Sequence, residues 1–494
     1  MTSIALNKVI HTAVSAPGAG KTQALISQIP SLLSAGRSIV LALPTLTLTD
    51  SFIDRLPMGT PYQVINSNTF DHVSSELNQT LREKPNELVI TTHQSIFSAK
   101  PDLLSGWVFV VDELPVVADF PAYPFEPSEL AQLFVNVEER DGRLHIREGC
   151  ADAIETALAT FKAVSAGAER TSMLSSEGAR IYECLKDEHP VFIDTEMANG
   201  NRYVRAVVES TCWSAFAAAE EVHVLAATVE GSLFDDFAQV HGFTYERSDF
   251  TPEFEGYASP ITIYPFMPKG RIYSKAAVTV TACESGTTGE QKQGELLVID
   301  VILKAALQRA TGVPLLFCNK WASFRWLSKG SVHHCSIDSR GLNEYQGETD
   351  AILLFGGNPS PSDERALEFL AVKYDRVFRQ GFMVTRFLEP SLQAVTRTAI
   401  RDRGNTKPIQ LFVQDGRVAE YVVSSYMPHA MIDWSLSEIC PVVEDRRTTE
   451  DPRKRQVFEL FAQDKKNTEI VSITGVHRNT VSNWRKDWRL YQAA

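Results

Sequence analysis

Residues 15–22 read Ser-Ala-Pro-Gly-Ala-Gly-Lys-Thr and stand between a β-branched strand pattern, Lys8–Val14, and a helical pattern, Thr22–Leu33. A strand that turns through small residues straight into a helix can cradle a phosphate. Backbone N–H groups close around the anion, and the positive end of the helix dipole faces it. Ser15 stands where the pattern G-x-x-x-x-G-K-[ST] has its first glycine, and Gly18 and Gly20 permit the close backbone approach. Lys21 is expected to neutralise the β and γ phosphates of ATP, and the Thr22 hydroxyl to ligate Mg²⁺. Such a loop constrains the fold to an α/β sheet.

A second apolar strand, Val108–Val111, ends in Asp112-Glu113. Downstream of a phosphate loop, two carboxylates at a strand end can divide the work. Asp112 is placed towards Mg²⁺ and Glu113 towards an attacking water. Hydrolysis of a nucleoside triphosphate is the expected reaction.

Strand and helix patterns alternate along the rest of the chain. The first set has strands at Lys8–Val14, Ser38–Leu43, Leu88–Thr92, Trp107–Val111 and Val222–Ala226; the second at Ile261–Pro265, Pro314–Cys318, Val332–Ile337, Ala351–Phe355 and Ile409–Val413. In the second set, helices are expected at Glu295–Arg309, Asp363–Lys373 and Ser391–Asp402. Alternation of this kind predicts two consecutive parallel-sheet α/β domains, residues 1–250 and 251–440. A mostly helical insertion is expected at about 120–220 in the first. Residues 441–452 read as a linker and 453–494 as a small all-α domain.

The 494 residues contain no apolar run near the roughly 20 that a bilayer span needs, so no membrane partner is expected. A phosphate loop from Ser15 leaves no room for a cleavable signal, and seven scattered cysteines without C-x-x-C spacing read as reduced thiols. A cytoplasmic location is the expectation. The net charge of −13 is uneven: from Pro452 onward nine basic residues face four acidic ones, which makes the tail +5 and the remainder −18. A basic end on an acidic body directs polyanions to the tail.

The order of motifs resembles that of the superfamily 2 helicases and translocases, whose motor is a pair of tandem RecA-like domains. Leu41-Ala42-Leu43-Pro44-Thr45 resembles motif Ia, and Val89-Ile90-Thr91-Thr92-His93-Gln94 the next strand-end motif. The resemblance implies contacts from Pro44, Thr45, Thr91 and Thr92 to a single DNA strand. Asp112-Glu113-Leu114-Pro115 resembles the D-E-x-x box, with Pro115 replacing its last residue. Leu225-Ala226-Ala227-Thr228 resembles the S-A-T motif and gives Thr228 a coupling role. Pro314–Asn319 resembles the strand of motif IV, and Ser339-Arg340-Gly341-Leu342-Asn343 resembles motif V, with Gly341 and Asn343 at the nucleotide. Residues 393–401 resemble motif VI: Gln393 would orient the water or the γ-phosphate, and Arg397 would reach across the cleft. The family spacing puts its last arginine at position 400, which is Ile400; Arg401, one residue later, is the candidate second finger. Taken alone, Gln393, Arg397 and Arg401 also fit a solvated helical stripe.

Residues 468–486 follow helix-turn-helix grammar. Ile470, Val471, Ile473, Val476, Val481 and Trp484 are its expected core, and Gly475 its turn. His477, Arg478, Asn479, Ser482, Asn483, Arg485 and Lys486 are the candidate duplex-DNA contacts, with Arg485 and Lys486 assigned to phosphate. The module resembles homeodomain-like domains of recombinases and transposases. The leading expectation is an ATP-dependent DNA helicase or translocase in phage or plasmid replication, with replication proteins as further partners. A terminase-like packaging ATPase and an ATP-gated helix-turn-helix regulator are the alternatives.

Overall fold

The computed structural model describes residues 8–85, 87–167, 174–194, 200–280, 282, 296–338, 345–438, 452–463, 465–476, 480–482 and 484–485. Two parallel sheets and the insertion belong to one compact unit, Met1–Tyr273 with Ala306–Ser437. In lobe 1 the strands are β1 (Val9–Val14), β2 (Ser38–Leu43), β3 (Tyr62–Val64), β4 (Leu88–Thr92), β5 (Trp107–Asp112), β13 (Glu221–Ala226) and β14 (Thr244–Arg247). The insertion holds β6 (Ala118–Asp119) to β12 (Val208–Glu209) between them. The sheet order is β14-β1-β13-β5-β2-β4-β3, with every pairing parallel. Central strands are apolar almost without interruption, as Ser38-Ile-Val-Leu-Ala-Leu43 is, because both faces are covered.

This order has a chemical consequence. Strand β13 lies between β1 and β5, pairing Val14 with Ala226 and Leu225 with Asp112. The phosphate loop, Thr228 and the Asp112-Glu113 pair therefore emerge side by side at the carboxyl edge, where open α/β sheets place their ligands.

Lobe 2 is a six-stranded parallel sheet built from β15 (Ile261–Pro265), β16 (Leu315–Cys318), β17 (His333–Cys335), β18 (Asp350–Leu354), β19 (Ile409–Val413) and β20 (Met431–Ile432). Its order is β17-β16-β18-β19-β15-β20. All ten strands expected from sequence are present, several shifted by a residue or more at their ends; Val332–Ile337 contracts to His333–Cys335.

The insertion is α plus β. Helices Pro127–Asn136, Ala151–Ser165 and Ser176–Lys186 accompany a five-stranded antiparallel sheet that sequence patterning did not anticipate. It is ordered β7 (Ala122–Phe125), β11 (Arg202–Ala206), β10 (Val191–Ile193), β9 (Arg143–Ile146) and β8 (Val137–Arg140). Its strands of three to five residues are too short to display a period of two.

Lobe 2 shares an apolar core with lobe 1. Ala366, Leu367 and Leu370 from helix Pro361–Tyr374, with Phe378 and Phe382, join the cluster that contains Phe109, Phe216 and Phe237. Around it, Arg205 of the insertion pairs with Asp363 at 2.8 Å, the two side chains only 12% and 13% exposed, and Arg376 pairs with Asp236 at 2.8 Å. Gly381 sits where the two lobes touch. A Cβ there would lie 2.0 Å from Asp236 Oδ2 and 3.0 Å from the Leu233 nitrogen.

The described C-terminal residues form their own small core of Val457, Phe461, Ile470, Val476 and Val481. Helix Pro452–Ala462 precedes helix Asn467–Thr474, and Gly475 closes the latter in the left-handed region at φ +65°. Ile473, expected inside, is 53% exposed.

Gly381→Ala is expected to lower stability by about 1–3 kcal/mol, because an added methyl in a filled contact forces side-chain and backbone shifts. Urea unfolding of the full chain checks this. An unchanged midpoint would mean that the lobes are not held as described.

Candidate nucleotide site and nucleic-acid interface

The phosphate loop is held from below by lobe 1. Ser15 N–H donates to the Ala226 carbonyl at 3.2 Å and Ala19 N–H to that of Ala16 at 3.1 Å. Gly18 and Gly20 have φ of +81° and +100°, which L side chains rarely adopt. Lys21 Nζ folds back to donate to the Ser15 carbonyl and, at 3.0 Å, to that of Ala16. Burial draws its ammonium down to about 8, against the opposing pull of Asp112, Glu389 and Glu113.

Thr22 Oγ1 donates to Asp112 Oδ2 at 3.5 Å. Burial first, and neighbouring Glu113 second, push the Asp112 carboxyl up to about 7, with Lys21 opposing. A hydroxyl and a carboxylate at this separation are hard oxygen donors that fit Mg²⁺. Glu113 adopts φ +64°, an uncommon conformation for a residue with a side chain. Its N–H donates to the Leu225 carbonyl at 2.7 Å.

Lobe 2 closes the site from the other side. Helix Glu389–Val395 ends earlier than the expected Ser391–Asp402, and Ala399–Arg401 form a separate 3₁₀ turn. The Thr396 and Thr398 hydroxyls cap the last turn by donating to the Leu392 and Val395 carbonyls, both at 2.9 Å. Ala399 N–H leaves the helix for the Glu348 carbonyl at 2.7 Å. Arg397 and Arg401 are thus not on a solvated stripe. Arg397 is 6% exposed, and burial with the adjacent Arg401 lowers its guanidinium to about 9 while Glu113 and Asp338 hold it up. Arg401 lies against the phosphate loop, its Cγ only 2.9 Å from where a Gly18 Cβ would stand.

Gln393 shares a cavity of about 370 Å³ with Glu113, Pro115, Thr228, Asp338 and Glu389. Thr228 Oγ1 and Tyr421 Oη are 2.9 Å apart, joining the end of β13 to helix Gly416–Tyr426 of lobe 2. Three groups here escaped sequence reasoning. Glu389, half-buried and raised above the usual carboxylate range by desolvation, accepts from Gln393 Nε2 at 3.0 Å and Tyr421 Oη at 3.3 Å. Tyr257 donates to the Pro17 carbonyl at 2.8 Å. The spacing Glu389-x-x-x-Gln393 was the available signal, one helical face four residues apart. A π turn at Val384–Leu388 precedes it. Pro390 has no N–H for the carbonyl of Arg386 and its ring crowds that oxygen, which accounts for the wider turn.

At the carboxyl ends of β2 and β4, a groove of about 430 Å³ contains Pro44, Thr45, Thr92, Gln94 and Ser95. The buried Thr45 Oγ1 has no hydrogen-bond partner among the described residues. Thr92 caps a short helix by accepting from Ser95 N–H at 3.3 Å. Thr91 differs from expectation: 1% exposed, it donates inward to the Ile65 carbonyl at 2.8 Å, because alternation along β4 turns it to the opposite face from Thr92.

In the C-terminal module Ser482 is exposed. Arg485 is not free for phosphate. Its Nε donates to Asn467 Oδ1 at 2.6 Å, its Nη2 to the Lys465 carbonyl, and its guanidinium stacks 4.4 Å from the Phe461 ring centroid. Gly341, Asn343, His477, Arg478, Asn479, Asn483 and Lys486 lie outside the described residues.

Residues 448–493 match the family model of a homeodomain-like domain. Among solved structures the chain is similar to S. tokodaii Xpd4, with TM-score 0.48, 11% identity, and coverage of 86% of this chain and 96% of that one. It is similar to an XPD helicase at TM-score 0.41 and 9% identity, over 86% and 96%. A third is S. cerevisiae Dbp5 bound to RNA and ADP BeF3, at TM-score 0.34 and 10% identity, over 88% and 90%. No curated protein of matching sequence was found. Strand order and register in this chain define its two parallel-sheet lobes.

With a native carboxyl near 7 against an ordinary 3.8, Asp112 keeps a proton in the folded chain that the unfolded chain has lost. Its contribution to stability therefore falls as pH rises from about 4 to 7. Lys21, lowered to about 8, acts only above that window. The Tm of the wild type relative to Asp112→Asn should decline between pH 4.5 and 7.5 in nucleotide-free protein; a constant difference would contradict the burial of this carboxyl.

Proposed function

We propose that the chain is an ATP hydrolase that moves on single-stranded DNA, a helicase or translocase, and that its C-terminal module docks on duplex DNA. The observation that carries this reading is the approach of Arg397 and Arg401 from lobe 2 to Glu113 and the phosphate loop of lobe 1. Groups that act on one triphosphate from two lobes make lobe geometry depend on nucleotide state.

In this reading Lys21 and the loop N–H groups bind the phosphates, and Glu113 takes the proton of the attacking water. Arg397 and Arg401 neutralise charge that develops on the transferred group. Gln393 orients the water, its own amide oriented by Glu389. Thr22 and Asp112 would hold Mg²⁺, which when bound supplies positive charge at the phosphate oxygens. Thr228 and Tyr421 transmit lobe position to the end of β13. Thr45, whose hydroxyl has no hydrogen-bond partner among the described residues, and Thr92 meet the strand backbone on lobe 1. A tethered duplex reader beside such a motor suits the initiation of replication on a phage or plasmid, where a site is first found and then opened.

Lys21→Ala and Glu113→Gln should abolish hydrolysis, and Arg397→Ala should lower kcat by about 10³-fold or more. ATPase assays with and without oligo(dT) measure this. Turnover that ignores the strand in the wild type would overturn the motor. Deletion from Pro452 onward should preserve strand-stimulated hydrolysis while weakening duplex binding.

A further inference from the structure

The loop that follows β16 has no place in the site described above. Residues 319–331 read Asn-Lys-Trp-Ala-Ser-Phe-Arg-Trp-Leu-Ser-Lys-Gly-Ser, with three aromatic rings interleaved among three cations. From 301 to 337 the chain has five Lys or Arg and no Asp or Glu, in a protein of net charge −13. Lys320, Arg325 and Lys329 are exposed, while Trp321, Phe324 and Trp326 are half-buried.

The loop is built from turns. Ala322 N–H donates to the Asn319 carbonyl at 2.9 Å, Leu327 N–H to that of Phe324 at 3.0 Å, and Ser331 N–H to that of Ser328 at 3.2 Å. Phe324 and Trp326 meet edge to face, centroids 6.2 Å apart. Asn319 ties the loop to the end of β18 by accepting from Gly356 N–H at 3.0 Å. The rings therefore stand at the carboxyl edge of the lobe 2 sheet, where α/β sheets receive ligands. The rings keep part of their surface in water, and the cations between them are exposed on the same loop.

We propose that this loop is a stacking platform for single-stranded nucleic acid. Trp321, Phe324 and Trp326 take the faces of unpaired bases, and Lys320, Arg325 and Lys329 take the phosphates. A duplex hides its base faces within its own stack, so the platform selects single strands. The inference rests on the nucleic-acid reading above and adds a lobe 2 contact to it.

The test uses the full chain and two probes of equal length, oligo(dT) and an abasic phosphodiester. Phe324→Ala with Trp326→Ala should weaken oligo(dT) binding by about 10-fold or more and leave abasic binding unchanged. Replacing both by Leu, which keeps apolar volume but removes the ring faces, should do the same at an unchanged thermal midpoint. Replacing Lys320, Arg325 and Lys329 by Ala should weaken both probes and make the slope of log K against log[salt] shallower by about 2. Strand-independent ATP hydrolysis should not change in any variant. Unaltered oligo(dT) affinity in the folded Leu variant overturns the platform, as does equal loss on both probes. Failure of the wild type to bind either probe would instead remove the nucleic-acid reading itself.

Discussion

The withdrawal of charge from water between the two lobes governs this structure. Arg397 is buried and Lys21, Asp112 and Glu389 are half-buried around it, and each is displaced towards its neutral form, to about 8, about 7 and about 9 for Lys21, Asp112 and Arg397. Mutual attraction offsets only part of the desolvation, since a buried ion pair seldom recovers in Coulomb energy what it loses in hydration. A cleft in this state favours whatever brings compensating charge. In the proposed reading a magnesium-bound polyphosphate would be such a ligand, and a difference in its affinity between lobe arrangements would be the free energy that movement uses.

The other side of the lobe contact is of a different kind. There Ala366, Leu370, Phe378 and Phe382 of lobe 2 enter the core of lobe 1, with Gly381 allowing the backbones to touch. Apolar contact is insensitive to nucleotide charge, whereas the polar cleft is directly sensitive to it. The π turn at Val384–Leu388 stands between these two regions in sequence, just before Glu389.

Much of this was legible in the sequence because the relevant signals are local. Strand β1 and the loop at 15–22 are contiguous, and unbroken apolar runs such as Trp107–Val111 mark strands covered on both faces. Four things were less accessible. The insertion sheet has strands too short to show periodicity. The Thr91 hydroxyl points inward because of a period-of-two alternation that a motif comparison ignores. Arg485 was assigned by residue type, but its partners Asn467 and Lys465 lie about twenty positions back in the chain. Glu389 was missed because a lone carboxylate on a helix carries no mark of burial until the opposite lobe is in place.

The backbone torsion at Glu113 carries an implication for how such a chain tolerates change. At φ +64° any L residue bears conformational strain that glycine would not. Random substitution to glycine at this position would relax the backbone while removing the carboxylate that the proposed hydrolysis uses, so thermodynamic screening alone would reward loss of that proposed role. Resilience and chemistry oppose one another at a single peptide unit.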